Sequence, residues 1–125
     1  RLAHFRCMST FTVMLAEDEA LIALDMVDCL RERGINVVGP CMSLDDCLNC
    51  IDGPHRIDAA ILDVDLAGQD VFPAALKLKK RGIPFVFHSG HCTADTLPPE
   101  LAGVKLYEKP AGIGKIADNL SAIAA

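Results

Sequence analysis

Apolar runs too short to be helices alternate along this chain with stretches whose apolar residues recur at helical spacing, and few folds accept that alternation. Thr12–Ala16 is a buried-strand run that ends in Glu17-Asp18. Ala20, Ala23, Leu24, Val27 and Leu30 then mark one helix face, and Gly34 stops that helix. Ile35–Gly39 is a second strand, ended by Pro40, which has no amide to donate to a ladder. Ser43 caps a helix running to about Ile51, and Asp52-Gly53-Pro54 is a turn. A third strand, Ala59–Leu62, ends at Asp63. The spacing predicts a helix from about Asp70 to Arg81, with Pro73 in its first turn and Gly82 as its stop. Pro84–His88 is a fourth strand, and Pro98 and Pro99 keep any helix between Ser89 and Gly103 short. Val104–Tyr107 is a fifth, and Ile113, Ile116, Ala117, Leu120 and Ile123 mark a last helix. Five continuous apolar strands alternating with helices predict an α/β fold, a parallel sheet covered on both faces.

A chain of 125 residues fits one domain and buries roughly two-thirds of its unfolded surface, so no metal or disulfide staple is needed. The net charge of −5 argues against a nucleic-acid or anionic-membrane surface. No apolar run reaches the length of a membrane span, and Arg1–Phe11 lacks a secretory apolar region. The six cysteines, Cys7, Cys29, Cys41, Cys47, Cys50 and Cys92, are irregularly spaced, and read as reduced thiols in a cytoplasmic protein. Cys47-Leu-Asn-Cys50 lies inside a helix with no second pair to complete a zinc site, so it reads as structural. His88, His91 and Cys92 lack an evident fourth ligand, and Lys77, Lys79, Lys80 and Arg81 read as a solvated helix end.

In parallel α/β sheets ligands bind beyond the carboxyl ends of the strands. There the chain places Glu17-Asp18 after strand one, Asp63 after strand three, Ser89 after strand four and Lys109 after strand five. Converging carboxylates repel unless a cation neutralises them, and hard carboxylate oxygens suit Mg²⁺. A lysine and a hydroxyl opposite the carboxylates can hold phosphoryl oxygens, and a carboxylate can itself be the nucleophile.

These segments, LAEDE, ILDVDLAG, FVFHSGH and LYEKP in that order, resemble a response regulator receiver domain of two-component signalling over about residues 12–124. The resemblance implies a flavodoxin-like doubly wound sheet of order 2-1-3-4-5. Asp63 would accept a phosphoryl group from a sensor histidine kinase or phosphotransfer protein. Asp18 and Asp63 would bind Mg²⁺ directly, Glu17 through water and Asp65 through its backbone carbonyl. Lys109 and Ser89 would hold the phosphoryl oxygens, Ser89 and Tyr107 would be the switch residues, and the Lys109–Pro110 bond would be cis. The domain would itself be no enzyme beyond assisting its own phosphorylation and dephosphorylation. PFVFHSGH resembles a receiver subgroup common in alpha-proteobacteria, with His88, Ser89 and His91 at the positions of alanine, threonine and an aromatic. Ala111, Gly112 and Gly114 depart from the family pattern, and imply a pliable entry to the last helix.

Two alternatives stand beside this reading. Asp63-Val-Asp65 matches the aspartate pair of haloacid dehalogenase-like phosphatases, but two strands precede it and no second acidic pair follows Lys109. A degenerate receiver that acts by binding alone is the other. Residues 1–11 read as an N-terminal extension or cloning remnant, with Met8 a natural start, and residues 12–125 as the receiver. A stand-alone receiver is preferred over one excised from a hybrid kinase or larger regulator. Expected partners are the kinase, an unidentified downstream protein and a second copy in a homodimer, with no direct contact to nucleic acid or membrane.

Overall fold

The computed structural model describes residues 11–90, 92, 94–109 and 112–124. Five strands, β1 (Thr12–Ala16), β2 (Asn36–Cys41), β3 (Ala59–Asp63), β4 (Phe85–Ser89) and β5 (Leu106–Glu108), form one parallel sheet. Its order is β2-β1-β3-β4-β5, as expected. Four helices cover it: α1 (Ala20–Glu32), α2 (Leu44–Asp52), α3 (Phe72–Lys80) and α4 (Ile113–Ala124). Two short 3₁₀ turns, Ala94–Thr96 and Pro99–Leu101, occupy the stretch where Pro98 and Pro99 limit helix formation.

Alternation along the strands divides the core into two layers. Val13, Leu15, Ile61, Val86 and Tyr107 face α1 and α4, whereas Met14, Ala16, Leu62 and Phe87 face α2 and α3. The Phe87 ring packs edge-on against both Phe85 and Phe72. Because β3 is buried along its whole length, the four side chains before Asp63 are all apolar.

Three sequence expectations need correction. Pro40 does not end β2 but lies inside it, after a cis Gly39–Pro40 bond. The strand tolerates this because β2 is at the sheet edge, where a missing amide leaves no ladder bond broken. The register shifts between the Met14↔Val38 and Ala16↔Cys41 pairs, the extra residue of a bulge. Helix α3 starts at Phe72 rather than at about Asp70, because Asp70 pairs with Asp65 in a small antiparallel hairpin that also contains Leu66 and Gln69. Finally, the basic end of α3 is not merely solvated. Lys77 and Arg81 both pair with Asp52 at the end of α2, at 2.5 and 2.8 Å, and Lys79 donates to the carbonyl of Glu100.

The Ser43 cap is present, its Oγ accepting from the Asp46 amide at 3.1 Å. Ser43→Ala protein is expected to lose about 1 kcal/mol in urea denaturation. An unchanged midpoint would show that water substitutes for the cap.

Gly114 has a structural reason beyond pliability. A Cβ there would lie 2.5 Å from Nη2 of Arg33, whose Nη1 pairs with Asp118 of α4 at 2.5 Å. The glycine lets the end of α1 close on α4. The expectations placed on Cys7, Met8, His91, Pro110 and Ala111 lie outside the described residues.

Candidate functional site

Parallel strands end side by side, so residues distant in sequence meet at the carboxyl edge of the sheet. One ligand oxygen from each of Glu17, Asp18 and Asp63 lies within 4.8 Å of the other two. Glu17 and Asp63 are buried, at 1% and 5% exposure, while Asp18 is half-buried. Lys109, just past β5, reaches into this cluster. Its Nζ is 2.8 Å from Oδ2 of Asp63, 3.0 Å from Oε1 of Glu17 and 3.8 Å from Oε2 of Glu19. The Asp63 contact is a hydrogen bond, whereas the Glu17 contact is an ion pair without hydrogen-bond alignment.

Backbone amides hold the other carboxylate oxygens. Asp63 Oδ1 accepts from the Asp65 amide at 3.3 Å, Asp18 Oδ2 from the Ala67 amide at 2.9 Å, and Glu17 Oε2 from the Glu19 amide at 3.1 Å. The Ala67 amide is aimed by the hairpin turn, in which Ala67 and Gly68 both have positive φ, 51° and 86°. That pair of left-handed residues matches the twist of a two-residue hairpin. The turn is held by a 3.0 Å bond from the Gly68 amide to the Asp65 carboxylate. The roles of the Ala67 and Glu19 amides were not legible in the sequence, since an amide carries no side-chain signal.

Burial raises the pKa of Glu17 despite the nearby lysine, and the Asp63 charge pushes the same way. Burial alone would lower the pKa of Lys109, but its bonds to Asp63 and Glu17 prevail and raise it. The folded state therefore binds more protons at Glu17 than the unfolded state does, and stability falls as pH rises above the ordinary glutamate value. Glu17→Gln protein in EDTA is expected to melt a few degrees higher at pH 7. That gain should vanish below about pH 4, where the unfolded glutamate is also protonated. A lower melting temperature at pH 7 would show that the pair with Lys109 outweighs burial.

The remaining residues singled out in the sequence are placed as follows. Ser89 is buried at the end of β4, and its Oγ accepts from the Cys92 amide at 3.1 Å. Its carbonyl accepts from the Lys109 amide at 2.8 Å, which ties β4 to the lysine. Asp65 is exposed, and lines the open pocket over the cluster together with Asp18, Asp63 and Lys109. Tyr107 is buried in the α1/α4 layer, with Asn119 of α4 donating to its hydroxyl and the Lys105 Nζ 5.5 Å from its ring centre. His88 is buried on the same face of β4 as Val86, opposite Ser89.

The described cysteines meet in a way that their spacing concealed. Cys41, carried inward by the β2 bulge, has its Sγ 3.1 Å from that of Cys50 on α2. Contact with Cys47 and burial push the Cys41 thiol up, and burial raises Cys50 to about 12. Both are therefore thiols at neutral pH, consistent with packing rather than thiolate chemistry. Among the described residues, the acidic trio is the single cluster with metal-ligand spacing. Also among them, no helix is long and apolar enough to cross a membrane.

No protein-family model matches the chain. The transcriptional regulatory protein PdtaR of Mycobacterium tuberculosis is 36% identical over 75 residues, 59% of this chain and 36% of the relative's length. The chain thus spans well under two-thirds of that relative. The solution structure of SdrG from Sphingomonas melonis Fr1 is 33% identical with a TM-score of 0.75, covering 94% of this chain and 98% of SdrG. The crystal structure of a response regulator receiver protein from Sinorhizobium medicae WSM419 superposes with a TM-score of 0.80 at 23% identity, covering 92% and 94% of the two chains. With the acidic pair, the third-strand aspartate and the fifth-strand lysine gathered on one edge of this sheet, the chain belongs to the response regulator receiver domains.

Proposed function

We propose that residues 12–125 form a phosphoacceptor receiver in which Asp63 takes a phosphoryl group from a phosphohistidine of a sensor histidine kinase or phosphotransfer protein. The observation that carries this reading is the 2.8 Å bond from Lys109 to Asp63 beside two further carboxylates. An Asp63 carboxylate oxygen attacks phosphorus, a P–O bond forms, and the P–N bond to the donor imidazole breaks with its electron pair returning to nitrogen. Lys109 balances the charge that collects on the phosphoryl oxygens, and Ser89 turns from the Cys92 amide to donate to one of them.

The donor set fits a hard divalent cation, because Asp18 and Asp63 line an open pocket where water can complete the shell, with Glu17 buried beside them. Asp18 and Asp63 would hold Mg²⁺ directly, Glu17 through water and Asp65 through its backbone carbonyl. Bound there, the ion supplies positive charge to the phosphoryl group. Tyr107 and Ser89 carry the change to an unidentified downstream protein or a second copy of the chain, in the cytoplasm.

Adding Mg²⁺ and beryllium fluoride, a phosphoryl mimic, to ¹⁵N-labelled protein should shift the amide signals of Asp63, Gly90 and Lys109. Unmoved spectra would overturn the reading. Sustained hydrolysis of a phosphomonoester would instead favour the phosphatase alternative.

A further inference from the structure

A further cavity of about 480 Å³, which shares Ile22 and Lys109 with the lining of the acidic pocket, opens between α1 and the start of α4. His88 lines it from the end of β4, Ile22 and Met26 from α1, and Ile113 from α4. His88 is 5% exposed, and neither ring nitrogen has a hydrogen-bond partner among the described residues. A buried polar group left unpaired costs about 1–3 kcal/mol, so this ring calls for a partner beyond the described residues, and the cavity has room for one. One water fills roughly 30 Å³, far less than this cavity, whose volume lies in the range of small-molecule sites.

The surrounding charges narrow the ligand class. Lys109 also borders the cavity, but its ammonium is engaged by Asp63 and Glu17. Asp25 stands exposed at the rim and repels anions. Neutral imidazole offers one N–H donor and one acceptor nitrogen, which matches a hydroxyl that both donates and accepts. Among the described residues the rest of the wall is the backbone of Gly112 and Gly114 and the aliphatic and thioether groups of Ile22, Met26 and Ile113.

We propose that this cavity binds a compact, uncharged, mainly apolar molecule bearing one hydroxyl, with His88 as its hydrogen-bond anchor. Such binding needs no phosphoryl transfer, although Lys109 borders both sites.

Phenol is the probe, titrated into the full ¹³C,¹⁵N-labelled chain. The ring signals of His88 and the methyl signals of Ile22, Met26 and Ile113 should move together and saturate. Toluene, of the same shape without the hydroxyl, should bind about fivefold more weakly, the worth of one hydrogen bond. Benzoate should not bind. His88→Phe protein should bind phenol and toluene alike, and Ile113→Trp protein, with the cavity filled, should bind neither. Absence of saturable shifts in the wild type, or undiminished phenol binding by Ile113→Trp protein, overturns the site. Equal affinity of the wild type for phenol and toluene overturns the role of His88.

Discussion

Lys109→Met protein is expected to be less stable than wild type by about 2 kcal/mol at pH 7 in EDTA, and to accept phosphoryl groups about 100-fold more slowly. The stability loss follows from burial. Glu17 and Asp63 are almost fully enclosed, and Lys109 is the cation paired with both. Removing one partner of a buried pair leaves an uncompensated charge, which in a fully buried site costs about 3–5 kcal/mol. Here the lysine side chain keeps 17% exposure, so water and proton uptake soften the loss. Two conditions should restore stability: added Mg²⁺, which replaces the missing positive charge, and lower pH, because burial raises the pKa of Glu17 and favours its neutral form. A urea midpoint equal to or above that of wild type at pH 7 would show that Lys109 does not hold the carboxylates together.

Gly39→Ala should produce the largest purely structural effect, about 4 kcal/mol. Gly39 has φ of +107°, a conformation that costs strain in any residue with a side chain. A Cβ there would also lie 2.7 Å from both the Cys41 amide nitrogen and the Leu15 carbonyl oxygen. Both are backbone atoms in the β1–β2 pair, so neither can rotate away. Gly34→Ala is the internal control. It also has positive φ, 78°, but nothing lies within 4 Å of an added Cβ, so only strain of about 1 kcal/mol applies. Urea midpoints should fall in that proportion with unchanged slope. Equal losses in the two variants would mean that the clash is absorbed by the bulge.

The strands leading to Glu17 and Asp63 were legible because buried parallel strands are continuous apolar runs, which here stop at those carboxylates. Side-chain alternation likewise separated His88 from Ser89. What the sequence concealed depends on neighbours in space. The missing amide of Pro40 is harmless only because β2 is an edge strand. Asp70 reads as a helix start by its distance from Pro73, yet pairing with Asp65 takes it into the hairpin. The ion pair of Lys109 with Glu17 joins the first strand to the last, and no local pattern signals it. The contact of Cys41 with Cys50 similarly arises from a bulge that periodicity does not show.

The central claim is that Asp63 accepts a phosphoryl group, and intact-mass measurement after incubation with acetyl phosphate tests it most directly. Wild-type protein should gain the mass of one phosphoryl group with Mg²⁺ and none with EDTA, and Asp63→Asn protein should gain none in either. No gain by the wild type under conditions where other receivers react, or a gain that survives Asp63→Asn, would contradict the account.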